Sequence, residues 1–515
     1  MLPSVHKTLV VILLALQLPA AMAQQVKVSG GDIAGLAMPD GSTIFYGVPY
    51  AAAPIGERRW KPPAPRAPWS GVRDASRQAP ACVQGDAGWN QALMQGASED
   101  CLTVAIRTPT LDGKARLPVL VYIHGGSNAA GAAGSLAQDA IHREGIVLVK
   151  IQYRLGAFGF LGLEALRKED PHGSSANYGL LDQIAALEWV RANIASFGGD
   201  PARVTISGSS AGATDALFLA YSPLARGLFQ RAILQSAAPG APRSAAHSEA
   251  MGAELLKRLS LPPGAAGLAA LRSLPADRIN AAAQNLPVSP GVDPSFTWEQ
   301  QNVDGHVLPH GYASAHAAGA GRDIAIIIGS NTQELGADRK PDAGAAMVRA
   351  VFGPKASAAM TLYGYRGARA PDADPLLGSV PTQLMTDAWF RCPAHWLAQR
   401  MHAAGSRVWR YEFGFGVPGS GKPPEHTSEM DYVYHAPPST PPPAGWPPVQ
   451  RYWANFIRHG DPNGDGLPAW PMVAQGGAVL EIAPHGIAVV RGPRAALCNL
   501  MFQGLDHPPS TVIPE

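Results

Sequence analysis

The chain is short of charge. Only 16% of its 515 residues are Asp, Glu, Lys or Arg, against roughly a quarter in an ordinary soluble domain. Its 41 basic and 39 acidic residues leave a formal net charge of +2. That balance offers no electrostatic footprint for nucleic acid or for an acidic membrane face. Cysteine is scarce as well, with four in all, and no CxxC or Cys/His spacing marks a zinc site. Beyond the N-terminus no stretch is long and apolar enough to cross a bilayer as a helix. There is no internal repeat and no G-X-Y period, so the 56 glycines and 48 prolines serve turns and long loops rather than collagen. What the chain does have is apolar residues, 46% of the total. That is enough for a large core and too much for global disorder.

The N-terminus reads as a secretory signal. His6 and Lys7 form a short basic start, Leu9 to Leu18 an apolar run, Pro19 a break, and Ala21-Met22-Ala23 a small-x-small cleavage site. Cleavage after Ala23 leaves residues 24–515 as one domain, secreted or periplasmic, with no membrane anchor. Export makes disulfides the expected fate of Cys82, Cys101, Cys392 and Cys498. Four cysteines allow three pairings. The local choice joins Cys82 to Cys101 around Trp89 and leaves Cys392 with Cys498; buried free thiols are the alternative.

Several apolar runs end in glycine-rich turns: Val119 to Ile123, Ile146 to Tyr153, Val204 to Ile206, Ala232 to Leu234, Ile324 to Ile328 and Val408 to Phe413. Runs that are apolar on both faces suit central strands of a covered parallel sheet. Between them lie helical patterns, among them Leu180 to Ile194, stopped by Gly198-Gly199-Asp200-Pro201, and Tyr452 to His459. Alternation of strand and helix gives an α/β architecture. Pro262 to Gly267 and Ala436 to Pro448 read as Pro/Gly-rich connectors.

Gly208-Ser209-Ser210-Ala211-Gly212 is a G-x-S-x-G match. Alone it is weak, since at this glycine content chance supplies on the order of a few tenths of a match per chain. Its setting is specific: it follows the strand Val204–Ile206 and precedes a helical run, Ala213 to Tyr221. That is the strand–turn–helix elbow that presents a serine hydroxyl at the carboxyl end of a sheet. A serine nucleophile needs a base, an orienting acid and backbone N–H donors for the oxyanion. His124-Gly125-Gly126-Ser127, just after another strand, is placed to supply the first donors, and Ala211 the next.

These residues, with others along the chain, resemble the type B carboxylesterases, a family that includes the cholinesterases. Ser98-Glu99-Asp100-Cys101-Leu102, Asn177 to Gln183, Phe197-Gly198-Gly199-Asp200-Pro201, Tyr153-Arg154, Gly159-Phe160-Leu161, Trp453, Asn455-Phe456 and Gly460-Asp461-Pro462-Asn463 match its motifs in order. The resemblance implies an α/β-hydrolase fold, a large mostly parallel sheet flanked by helices with long insertions forming the pocket. It implies Glu334, in Gly329 to Glu334, as the acid, with Asp338 as the nearby alternative. It implies His426, in His426-Thr427-Ser428-Glu429, as the base for Ser210. The N–H groups of Gly126, Ser127 and Ala211 become the oxyanion hole, and the two disulfides agree with the local pairing. Arg59 with Glu99, and Arg154 with Asp182, resemble the family's buried ion pairs. His124 is implied to hold the oxyanion turn, and Trp89 either lines the gorge or packs.

The expected activity is therefore hydrolysis of a small-molecule carboxylic ester through an acyl-enzyme, with no cofactor and no metal. A non-catalytic esterase-like binding protein, and an amidase or lipase on the same triad, are the rival readings. Three positions depart from the family pattern. Ser127 replaces the usual Gly or Ala. Ser209 replaces the usual Glu, which weakens the case for a cationic substrate. Thr103 to Ile106 replaces a Leu-Asn pattern at a strand position. Asp461 to Asp465 lacks the spacing of a calcium loop and reads as a turn.

Overall fold

The computed structural model describes residues 24–505, except 241, 285, 287–297, 299–300, 336–342, 474–476 and 493. The expected signal segment and Asp338 lie outside the described residues. The strands are β1 (Gln24–Val28), β2 (Gly31–Ala37), β3 (Thr43–Pro49), β4 (Val72–Asp74), β5 (Thr103–Thr108), β6 (Leu117–Ile123), β7 (Val147–Ile151) and β8 (Gly199–Ser209). They continue as β9 (Arg231–Gln235), β10 (Arg243–Ser244), β11 (Asn302–Val303), β12 (Ala325–Asn331), β13 (Val408–Phe413), β14 (Ala478–Ala483) and β15 (Gly486–Arg491).

One sheet runs in the order β1-β2-β3-β5-β7-β6-β8-β9-β12-β13-β14-β15, with β4 beside β2. From β7 to β14 every neighbour is parallel. The flanking pairs β1–β2, β2–β3, β3–β5, β5–β7 and β14–β15 are antiparallel. The continuous apolar runs follow from burial on both faces. Val119, Val121 and Ile123 of β6 enter one hydrophobic cluster and Leu120 the other; Ile326 and Ile328 of β12 divide from Ile327 in the same way. Side chains alternate across a strand, so a sheet covered by helices on both sides needs apolar residues at every position.

The helix expected at Leu180–Ile194 spans Tyr178–Asn193, and the one expected at Tyr452–His459 spans Val449–His459. The latter buries Val449, Tyr452, Trp453, Phe456 and Ile457, the 3–4 spacing of one apolar face, and stops at Gly460 with φ +72°. The connector expected at Pro262–Gly267 is shorter than its composition suggests. A helix begins at Gly264 and runs to Ser273, because Leu268 and Leu271 find a core to enter.

Both disulfides form as expected, Cys82–Cys101 and Cys392–Cys498. Arg59 and Glu99 share a two-pronged ion pair at 2.6 and 2.7 Å, and Arg154 grips Asp182 with two bonds of 2.7 Å. Trp89 packs against little: it is 63% exposed. Asp461 accepts the Asn463 N–H at 2.9 Å, the Asx turn that the sequence indicates there. No described helix is long and apolar enough to span a membrane.

Candidate active site

The site is built at the carboxyl ends of four adjacent strands. Ser209 of β8 lies beside Gln235 of β9, Gln235 beside Gly329 of β12, and Gly329 beside Tyr411 of β13. Three of the four connections that leave this row each deliver one expected residue. Ser210 follows β8 directly, Glu334 follows β12, and His426 lies in the segment between β13 and the helix Glu429–Tyr434.

Ser210 has φ +56° and ψ −127°, a conformation that L residues adopt only under constraint. The constraint is the sharp reversal from β8 into the helix Ala211–Tyr221. A Cβ on Gly208 would run into the Gly212 carbonyl, and one on Gly212 into the Ile123 carbonyl. Only glycine fits at either side, which is the steric reason for the G-x-S-x-G spacing. The Ser210 N–H is fixed by the Gln235 carbonyl at 2.9 Å.

The turn expected to carry oxyanion donors abuts this elbow. A Cβ on Gly125 would stand 3.0 Å from that of Ser210. Gly126 has φ +109°, and Ser127 and Asn128 follow at +54° and +53°. A side chain at Gly126 would strike the Ala130 carbonyl. Ala129 and Ala130 close the turn by donating to the Gly126 carbonyl at 3.0 and 2.9 Å. Among the described residues, the N–H groups of Gly126, Ser127 and Ala211 meet no protein acceptor. His124 braces the turn from below: its Nδ1–H donates to the Gly125 carbonyl at 2.9 Å and its ring stacks on Tyr153. Burial lowers its pKa to about 4, so it is neutral at physiological pH.

Glu334 and His426 are brought together by a 2.6 Å bond from Nδ1–H to the carboxylate. The His426 N–H also donates to the Glu334 carbonyl at 2.7 Å. The other Glu334 oxygen accepts from the Ser236 hydroxyl and the Asn331 N–H, both at 2.7 Å. Phe390 packs its ring 4.9 Å from His426. Below them Glu429 is fully buried, accepting from Asn331 at 2.7 Å and from Tyr411 at 3.2 Å. Burial, and then the Glu334 carboxylate, push its carboxyl pKa upward.

Ser209 makes a 2.9 Å hydrogen bond with the Tyr122 hydroxyl. Burial raises that phenol to about 12, so Tyr122 too is neutral beside Ser209, where the family pattern has Glu. Of the chain's non-glycine residues with positive φ, Ser127, Asn128, Ser210, Ser236 and Thr427 all lie in this region. Strain concentrated this way marks a functional site.

Ser236, Asn331, Phe390 and the contacts of Glu429 were not read from the sequence. Ser236 follows a strand whose end was legible. Glu429 sits inside a motif noted for His426. Phe390 had no local signal.

A serine elbow at the carboxyl end of a mostly parallel sheet, beside a carboxylate–imidazole pair, defines an α/β-hydrolase. Residues 22–351 and 354–501 match the model of the carboxylesterase family. A fumonisin B1 esterase of Sphingopyxis macrogoltabida is 38% identical over 406 residues, covering 76% of this chain and 71% of the relative. A liver carboxylesterase of Sus scrofa is 32% identical, covering 93% and 92%. Among solved structures, a carboxylesterase of Geobacillus stearothermophilus superposes with a TM-score of 0.76 at 31% identity, over 93% of this chain and 100% of that one. A PNB esterase superposes at 0.78 and 28% identity, over 94% and 100%. The chain belongs to the carboxylesterase family and is a carboxylic-ester hydrolase.

Proposed function

We propose that Ser210, His426 and Glu334 form the catalytic triad, and that the N–H groups of Gly126, Ser127 and Ala211 form the oxyanion hole. The observation that carries this reading is the 2.6 Å bond between His426 Nδ1–H and Glu334. With its proton held at Nδ1, the imidazole keeps its basic lone pair on Nε2. His426 takes the Ser210 proton as the oxygen attacks the ester carbonyl, and the three N–H groups receive the developing oxyanion. The imidazolium then protonates the leaving alkoxide. Water, activated by the same base, releases the acid and restores Ser210. Glu334 keeps the tautomer and stabilises the imidazolium.

The substrate in this reading is a neutral or anionic carboxylic ester, since Ser209 removes the carboxylate that would favour a cation. The mature protein is a single domain, 24–515, secreted or periplasmic after signal cleavage. Two disulfides and a family match that begins at residue 22 support that placement. A fluorophosphonate probe tests the nucleophile. One equivalent should attach to Ser210, found by peptide mass spectrometry, and none to Ser210→Ala; attachment elsewhere would refute the assignment. N-terminal sequencing of the exported protein should begin at Gln24.

A further inference from the structure

Behind the oxyanion turn lies a buried carboxylate that the mechanism leaves unused. Asp215 sits on the helix Ala211–Tyr221 and is completely buried. It is four residues past Ala211, on the same helix face one turn along. Three amide side chains converge on it. Asn128 Nδ2 donates to Oδ1 at 3.1 Å, Gln183 Nε2 to Oδ2 at 2.5 Å, and Gln301 Nε2 also to Oδ1. All three partners are neutral. Gln183 and Gln301 commit their NH₂ groups here while their own carbonyl oxygens find no partner among the described residues. A carboxylate can accept several such bonds at once, which no neutral side chain of its size can do.

Asn128 is the informative partner. It follows Ser127 directly, and both hold left-handed backbone. That conformation is disfavoured for L residues, more for Ser than for Asn, and is held here by the neighbouring contacts. Asn128 is held on both sides: the Tyr153 hydroxyl, shared with the His124 carbonyl at 2.7 Å, lies 3.1 Å from Oδ1, and Nδ2 donates to Asp215. Its carbonyl is taken by the Gly156 N–H at 2.6 Å. The bond from Asn128 to Asp215 therefore joins the two pieces of backbone that carry the expected oxyanion donors. Gly126 and Ser127 lie on one piece, and Ala211 on the other.

We propose that Asp215 is a positioning residue for ester hydrolysis, stapling the Gly126–Ser127 turn to the helix that begins at Ala211. This rests on the reading of those N–H groups as the oxyanion hole. Donors aimed in advance at the developing charge are where such a site gains its rate, and misplacement of one weakens the transition state more than the bound substrate. A buried cluster with only a structural role would instead change stability and leave the turnover of folded enzyme alone.

The test uses the full-length protein and four variants: Asp215→Ala, Asn128→Gly, their combination, and Asp215→Asn. Glycine at 128 keeps the positive φ and removes both side-chain anchors. Asparagine at 215 keeps an acceptor for Asn128. Steady-state kinetics on a p-nitrophenyl ester should show kcat lowered about 10–100-fold in each of the first two, with KM within about twofold. The combination should fall no further than the worse single variant, and Asp215→Asn should recover most of the loss. Affinity for an aryl trifluoromethyl ketone, which forms a tetrahedral oxyanion on the serine, should fall in step with kcat. If Asp215→Ala does not fold, Asn128→Gly decides by the same criteria. A kcat within about threefold of the parent, or losses that multiply in the combination, would overturn the proposal while Ser210-dependent turnover leaves the hydrolase reading standing. Turnover that survives Ser210→Ala would overturn both.

Discussion

Asp182 and Asp215 are both fully buried carboxylates, and they are held in opposite ways. Asp182 meets the Arg154 guanidinium through two bonds of 2.7 Å and a third from the Arg154 N–H. Asp387, in the region of the Cys392–Cys498 bridge, is gripped likewise by Arg391 and Arg494. Asp215 and Glu429, behind Ser210 and His426, receive only amides and hydroxyls. The first kind fastens scaffold, for each buried carboxylate meets a guanidinium of opposite charge. The second kind leaves uncompensated charge in an apolar setting, a costly arrangement. The helix Tyr178–Asn193 shows both within two residues: Asp182 pairs with Arg154, while Gln183 turns to Asp215. The unpaired carboxylates stand behind the candidate site, which is where a fold departs from its most stable arrangement in favour of function.

Breaking a scaffold pair should have the largest effect. Arg154→Met should cost about 3–5 kcal/mol of unfolding free energy by urea titration, because Asp182 is left buried without its partner. A loss below about 1 kcal/mol would erase the distinction drawn between the two groups. Removing the charge from the other kind should do the reverse as pH rises. Burial lifts the Asp215 carboxyl to about 6 from 3.8. The folded state therefore holds that proton more tightly than the unfolded state. The resulting stability is complete below about pH 4 and lost as the pH rises through 6. Between pH 4 and 7, Asp215→Asn should gain up to about 3 kcal/mol relative to the parent, read as the change in their stability difference. A difference that does not move with pH would contradict the assignment of an uncompensated carboxylate.

Smaller effects sharpen the contrast on the acid side. Ser236→Ala deletes the hydroxyl that donates to Glu334 at 2.7 Å. It should lower kcat about tenfold with KM within about twofold, the signature of a bond that holds Glu334 in place. Ser209→Ala removes only the link to Tyr122. It should cost about 1 kcal/mol of stability in thermal or urea melts and leave kcat unchanged.

The elbow was legible in sequence because its requirement is local: a strand, a reversal that only flanking glycines permit, and a helix. The central strands were legible for a similar reason, since burial on both faces writes a continuous apolar run. Glu334 and His426 were reached through family resemblance alone, because loop residues from distant strands obey no fixed spacing to the serine. The Asp215 cluster has no local spacing in the sequence. Asn128, Gln183 and Gln301 come from three separate segments, and Gln301 lies 86 residues from Asp215 in sequence. One clue is present, a single charged residue in the mostly apolar stretch Ala211–Tyr221. On a helix buried on every side, such a residue must find partners.

Everything proposed for the site depends on Ser210 as its nucleophile. The most direct measurement is kcat/KM on p-nitrophenyl esters of graded acyl length, for the parent and for Ser210→Ala of equal thermal stability. The parent should turn over with a defined chain-length optimum, and the variant should lose on the order of 10⁴-fold or more at every length. Hydrolysis by Ser210→Ala at a rate near that of the parent would contradict it.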